Sequence, residues 1–178
     1  NLMVQHEVSE GAPVVYEMLP TYQNLFGRIE YITQQGIPNT NFQLIRAGSL
    51  LKANGGYLIL DAEKLLQEPF AYDALKLALK SKELKMEMPF SDATLVHSIT
   101  LSPQSINLDV KVILLGSREI YYQLQEWDPE FMELFRVPVD FDSFIPRTRN
   151  TVDNLILRIK DYGEEKKFKP LTRNALER

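Results

Sequence analysis

Five residues constrain this chain more than any others: Tyr57-Leu58-Ile59-Leu60-Asp61, an unbroken apolar run opened by Gly55-Gly56 and closed by an acid. A strand with one face in water alternates polar and apolar side chains. A run without alternation predicts a buried strand of a parallel sheet, covered by helices. Val110-Lys111-Val112-Ile113-Leu114-Leu115 is the clearest strand in the chain and ends in Gly116-Ser117. Between the two, Phe70, Ala71, Ala74, Leu75, Ala78 and Leu79 recur at helical spacing,. Strands alternating with helices imply an α/β sheet, whose functional groups gather at the carboxyl ends of its strands. Asp61 and Ser117 occupy that kind of position.

The other segments fit this frame. Residues 14–16 read as a short strand, and residues 28–33 alternate with period two between glycines and a proline. Residues 42–45 are the expected returning arm of a hairpin. Residues 47–54 read as a short helix stopped by Gly55-Gly56,. Pro69 is placed in the first turn of a helix running to about Lys82,. Residues 95–101 read as a further strand, and 120–126 and 129–135 as short helices with Asp128 as a cap. Residues 137–141 alternate around Pro138, which suits an edge strand,. Residues 148–162 form an amphipathic helix that Gly163 would end, and Pro170-Leu171 would open another.

Composition narrows the function. Across 178 residues there is no cysteine, which excludes a disulfide scaffold, a thiolate metal site and a cysteine nucleophile,. Two histidines exclude a three-histidine metal centre,. A net charge of −4 argues against a nucleic-acid module, which needs clustered surplus cations,. No apolar run approaches the roughly 18–20 residues of a membrane span, so a soluble, cytoplasmic protein without membrane partners is expected.

Several short patterns have two readings. An acid ending a hydrophobic strand is the Walker B arrangement, able to approach a nucleotide's Mg²⁺ directly or through water. The same acid can simply cap the next helix. The partner motif G-x-x-x-x-G-K-[ST] does not occur, because none of the eight glycines is followed by lysine,. Ser49-Leu50-Leu51-Lys52 has the S-x-x-K spacing of serine hydrolases that use lysine as base, but without their other motifs, so a surface helix is preferred,. His6 and His97 are isolated, and His97 is read as structural. Lys76 to Lys85 reads as a solvated helix face.

Longer segments carry a resemblance. Pro20-Thr21-Tyr22-Gln23-Asn24-Leu25-Phe26-Gly27-Arg28-Ile29-Glu30, Phe42-Gln43-Leu44-Ile45-Arg46-Ala47-Gly48-Ser49-Leu50 and Lys52-Ala53-Asn54-Gly55-Gly56-Tyr57-Leu58-Ile59-Leu60-Asp61-Ala62 resemble Lon-like ATP-dependent proteases of the LonB type. Leu108-Asp109-Val110-Lys111-Val112 and Asp128-Pro129-Glu130-Phe131 extend the match, which reaches about Phe141. The resemblance is nearest to a bacterial branch whose nucleotide-binding residues are often degraded.

That resemblance implies an AAA+ (P-loop NTPase-like) module: a mostly parallel sheet flanked by helices over residues 1–145, here lacking the Walker A strand, and the start of a helical lid over 146–178. Asp61 matches the Walker B acid, near Mg²⁺ and ATP. Ala62 stands where relatives carry the glutamate that orients water; Glu63 comes one residue later and would face the other way on a strand. Ser117 or Arg118 matches the sensor, and Arg136 is the candidate arginine finger for a neighbouring subunit. Tyr31, Ile32 and Phe42 would line a substrate-contacting pore hairpin, or else pack that hairpin onto the domain. The implied partners are other subunits of a homo-oligomeric ring and protein substrates.

With no Met at Asn1 and a helix-like stretch running to Arg178, the chain reads as a piece of a longer protein, with phosphate loop before it and peptidase beyond it. Two functions stay open. One is part of an ATP-driven unfolding module, inactive alone and binding no ATP; the other is a non-hydrolysing scaffold for ring assembly or partner docking. Either way, a sheet without its Walker A strand should leave an exposed edge, filled by rearrangement, by residues 1–8, or by self-association.

Overall fold

The computed structural model describes residues 4, 11–30, 32–34, 37–86, 104–169 and 172. The chain divides into two compact units, residues 1–136 and 137–178. In the first, strands β1 (Val14–Glu17), β6 (Tyr57–Asp61) and β9 (Lys111–Leu115) form a parallel sheet in the order β1-β6-β9. Three small antiparallel pairs accompany it. β2 (Gly27–Ile29) pairs with β5 (Ile45–Ala47), β3 (Ile32–Gln34) with β4 (Ile37–Asn39), and β7 (Glu83–Leu84) with β8 (Ile106–Asn107). The helices of this unit are α1 (Tyr22–Phe26), α2 (Ser49–Lys52), α3 (Ala62–Gln67), α4 (Ala71–Ser81), α5 (Arg118–Trp127) and α6 (Phe131–Leu134). The second unit carries α7 (Arg149–Glu165).

β6 is central, as its unbroken apolar run requires. Leu58 and Leu60 are wholly buried and meet Leu25, Leu50, Leu65 and Leu75 in one core. The sheet is nevertheless not covered evenly. Val14 lies beside Tyr57, Tyr16 beside Ile59, Ile59 in turn beside Ile113, and Asp61 beside Leu115, so these side chains share one face,. On that face Val14, Tyr16, Tyr57, Ile113 and Leu115 are all exposed. The expectation that the Tyr57–Asp61 run is buried therefore holds for the Leu58 and Leu60 face, while Tyr57 on the other face is exposed.

Gly56 sets the spacing of this sheet. A Cβ there would lie 2.0 Å from the Pro13 carbonyl oxygen, so only glycine lets β1 close onto β6,. Asn54 fixes the same turn to the entry of β9: its Oδ1 accepts from the Asp109 N–H at 2.7 Å, and its Nδ2 donates to the Asn107 carbonyl at 2.9 Å.

Several boundaries differ from the sequence expectation. The returning arm of the hairpin is Ile45–Ala47, while Phe42–Leu44 is a 3₁₀ turn capped by Asn41, whose Oδ1 accepts from the Gln43 N–H at 2.8 Å. Ala47 therefore belongs to a strand rather than to the helix expected over 47–54. The helix assigned to Pro69 begins two residues later, because Phe70 takes a left-handed conformation (φ 61°) that the α-helix cannot include,. A separate helix, α3, precedes it. Residues 137–141 form no strand; Pro138 lacks the N–H a ladder needs. Helix α7 runs through Gly163 to Glu165. The expected strand over 95–101, the helix opening at Pro170-Leu171, His6, His97 and residues 1–3 and 5–8 lie outside the described residues.

Candidate functional site

The carboxyl ends of β6 and β9 lie side by side. Asp61 pairs in register with Leu115, and a Cβ on Gly116 would come within 3.2 Å of the Ala62 Cβ. The turn after β6 and the turn after β9 thus abut, bringing Asp61 and Ser117 to the same end of the sheet. Each begins a helix. Asp61 Oδ1 accepts from the Lys64 N–H at 3.0 Å, capping α3, and Ser117 Oγ accepts from the Ile120 N–H at 3.4 Å, capping α5,. Asp61 is partly exposed, and its Oδ1 holds the helix.

Ala62 is 3 % exposed, against the Gly116 turn. Glu63 is exposed in the first turn of α3. The strand-alternation argument against Glu63 therefore does not apply, since the chain is already helical there. What separates Glu63 from Asp61 is the helical turn, not the pleat.

Arg136 is exposed just beyond α6, and its Nε donates to the Glu133 carbonyl at 2.8 Å. Phe42 is exposed at the head of its 3₁₀ turn, and Ile32 is exposed on β3. Tyr31 lies outside the described residues.

Two sequence readings change. Ser49 of the S-x-x-K pattern is buried, not on a surface helix, and its hydroxyl donates to the Glu17 carboxylate, with the Asn24 carbonyl also within reach at 3.1 Å. The lysine-rich stretch is not wholly solvated either. Lys76 Nζ lies 3.1 Å from Asp128 Oδ2 and 3.6 Å from Glu130 Oε2, with its side chain 14 % exposed. Tyr72 Oη donates to the same Asp128 oxygen at 2.6 Å, and Lys80 pairs with Glu130. Burial and this hydrogen bond push the Tyr72 hydroxyl well above its ordinary pKa. The available signal was the Tyr72, Lys76, Lys80 spacing of one helix face, facing the acids of Asp128-Pro129-Glu130.

Among the described residues there is no group of three or more His, Cys, Asp or Glu suited to a metal ion, and no helix is long and apolar enough to cross a membrane. Asp61 offers one acid to a hydrated Mg²⁺, but the chain has no glycine-lysine loop to cradle phosphates. Alone, its residues do not fit ATP.

Comparison with known proteins bears on the family and the fold. The family described as "LonB-like, AAA domain" matches residues 10–142. The Escherichia coli (strain K12) protein named "Putative Lon protease homolog" is 33 % identical over 89 residues, half of this chain and 14 % of that protein. The chain therefore aligns with a small part of that relative's length. Among solved structures, NtrX from Brucella abortus superposes with a TM-score of 0.56 at 18 % identity, covering 96 % of this chain and 36 % of NtrX. NtrX in complex with ADP gives 0.55 at 18 %, covering 95 % and 34 %. At that identity the likeness is one of fold.

Proposed function

The chain belongs to the LonB-like AAA domain family, and from that premise we propose that it is part of the ATPase module of a Lon-like ATP-dependent protease. In that reading Asp61 is the metal-side acid, Ser117 the nucleotide sensor and Arg136 the residue that reaches a neighbouring subunit's nucleotide in a ring. The hairpin bearing Ile32 and Phe42 meets protein substrate. The observation that carries this is the pairing of two abutting turns at the carboxyl end of a parallel sheet, one bearing an acid and the other a hydroxyl. The ADP bound by NtrX supports a nucleotide for this fold. No step of hydrolysis is derived, because this chain lacks the phosphate cradle.

A specific observation favours a second reading, a non-hydrolysing scaffold. Ala62 stands where the resemblance puts the water-orienting glutamate, and it is buried at 3 % exposure. The two readings separate in the intact protein. Asp61→Asn should abolish ATP turnover there; turnover that is absent from the native protein, or unchanged by Asp61→Asn, supports the scaffold and sinks the motor. For this chain alone, millimolar Mg-ATP should leave the thermal midpoint unmoved, and a clear rise would overturn its incompleteness.

A further inference from the structure

Helix α4 and the α5–α6 junction are joined by a cluster of side-chain hydrogen bonds and ion pairs. Asp128 is the centre. Its backbone N–H donates to the Leu124 carbonyl at 3.0 Å, ending α5, and its own carbonyl accepts from the Phe131 N–H at 3.1 Å, starting α6. Its carboxylate accepts from Glu130 N–H at 3.0 Å, from Tyr72 Oη at 2.6 Å and from Lys76 at 3.1 Å. Lys76 is placed for this by Asp73 at 3.4 Å and by the Tyr72 ring, whose centroid lies 4.8 Å from Nζ. Lys80 holds Glu130 from the next turn of α4. Phe131 then anchors α6 at 4 % exposure, against Tyr121 and Phe135. Arg136 follows at once.

We propose that Lys76 and Asp128 are positioning residues, whose ion pair fixes α6 on α4 and thereby aims Arg136. This rests on the reading of Arg136 as the residue that reaches a neighbour's nucleotide. Apolar side chains could hold two helices together; a paired charge does so in one geometry only, because sliding either helix strands a half-buried ion. A four-residue helix has little stability of its own, so the direction of Arg136 depends on what clamps α6. The clamp also leads back to the other end of the site. Asp61 caps α3 and α3 packs on α4, so the acid and the arginine are set by one continuous group of helices.

The chain has no cysteine, so spin labels can be placed cleanly at exposed Leu77→Cys on α4 and Glu133→Cys on α6. Pulsed electron resonance should show a single narrow distance distribution. Lys76→Met, which keeps the apolar stem, should lose it in favour of a broad one, and Lys76→Arg should restore it. If Lys76→Met fails to fold, Tyr72→Phe, which removes one hydroxyl, should still broaden the distribution. A width unchanged in the folded variants overturns the proposal. In the ring, Lys76→Met should lower kcat about tenfold with KM unchanged, and Lys76→Arg should recover it. An Arg136→Ala ring with full turnover would instead sink the reading of Arg136 itself, while the label distances would still report whether α6 is held. If Arg136→Ala is inactive and Lys76→Met is not impaired, the arginine reading stands and the positioning role falls.

Discussion

Asp61 caps α3 through Oδ1 while its residue stays partly exposed at the carboxyl end of β6. That is why the sequence could offer both readings, a cap and a metal acid, and why the structure does not force a choice between them. Asp128 is the contrasting case, an acid whose carboxylate accepts from Tyr72 Oη, Lys76 and the Glu130 N–H. Burial alone would raise its pKa, but the hydrogen bonds from Tyr72 and Lys76 outweigh burial and hold it below its ordinary 3.8. Glu130 is held below 4.5, first by its hydrogen bond from Lys80. Burial would lower Lys76, yet the hydrogen bond and charge of Asp128, with Asp73, raise it above 10.5.

Groups depressed in the folded state contribute stability above their unfolded pKa and lose it as pH falls through the folded value. A raised lysine contributes below 10.5 and loses its share above it. The stability that Asp128 adds should therefore be level from about pH 5 to about pH 10 and fade in acid. Urea midpoints of the native chain and Asp128→Asn, measured from pH 7 downward, should converge below about pH 4. A gap that stays constant to pH 2 would show that the ion pairs contribute nothing.

At the scale of elements, β6 and β9 were legible because each holds four consecutive apolar residues, closed by Asp61 in β6 and preceded by Lys111 in β9. Helix α3 was not, since Ala62-Glu63-Lys64-Leu65-Leu66-Gln67 is too short to show a full apolar stripe. The end of α7 was misplaced for a physical reason that can be named. Glycine marks a helix end when it sits in the left-handed position after the last turn. Here that position belongs to Lys167, at φ 56°, with its N–H on the Glu164 carbonyl at 3.1 Å and the Phe168 N–H on the Gly163 carbonyl at 2.8 Å. Gly163 lies inside the helix, and a Cβ there would meet nothing within 4 Å. The two residues are thus each in the place the other suits better. Gly163→Ala and Lys167→Gly should each raise unfolding stability by about 0.5–1 kcal/mol, read as a shift of the urea midpoint for α7. A fall in either would mean that the flexible glycine or the lysine side chain has a role beyond the backbone.

For the whole molecule, the decisive question is what the sheet does with its uncovered face. The sequence expectation was an exposed strand edge where the phosphate-loop strand is missing. The described residues show exposure of another kind, on the side chains that share a face with Asp61. Tyr16 is 50 % exposed, Ile113 42 % and Leu115 48 %, from strands at both sides of β6. A contiguous apolar surface of this kind favours association wherever a partner is available. β9 also carries only one charge, Lys111, to discourage strand addition,. The isolated chain should therefore associate with itself as concentration rises, with sedimentation showing species heavier than 20.6 kDa. The pair Tyr16→Lys and Ile113→Lys should shift it toward monomer without lowering its urea midpoint, because neither side chain is part of the buried core. If the double variant instead unfolds, these residues are core and the face is closed in solution. If the native chain stays monomeric at high concentration, the sheet has closed upon itself without a partner. Only the first outcome leaves the apolar face and Asp61 together on one open surface, where a partner surface can cover both.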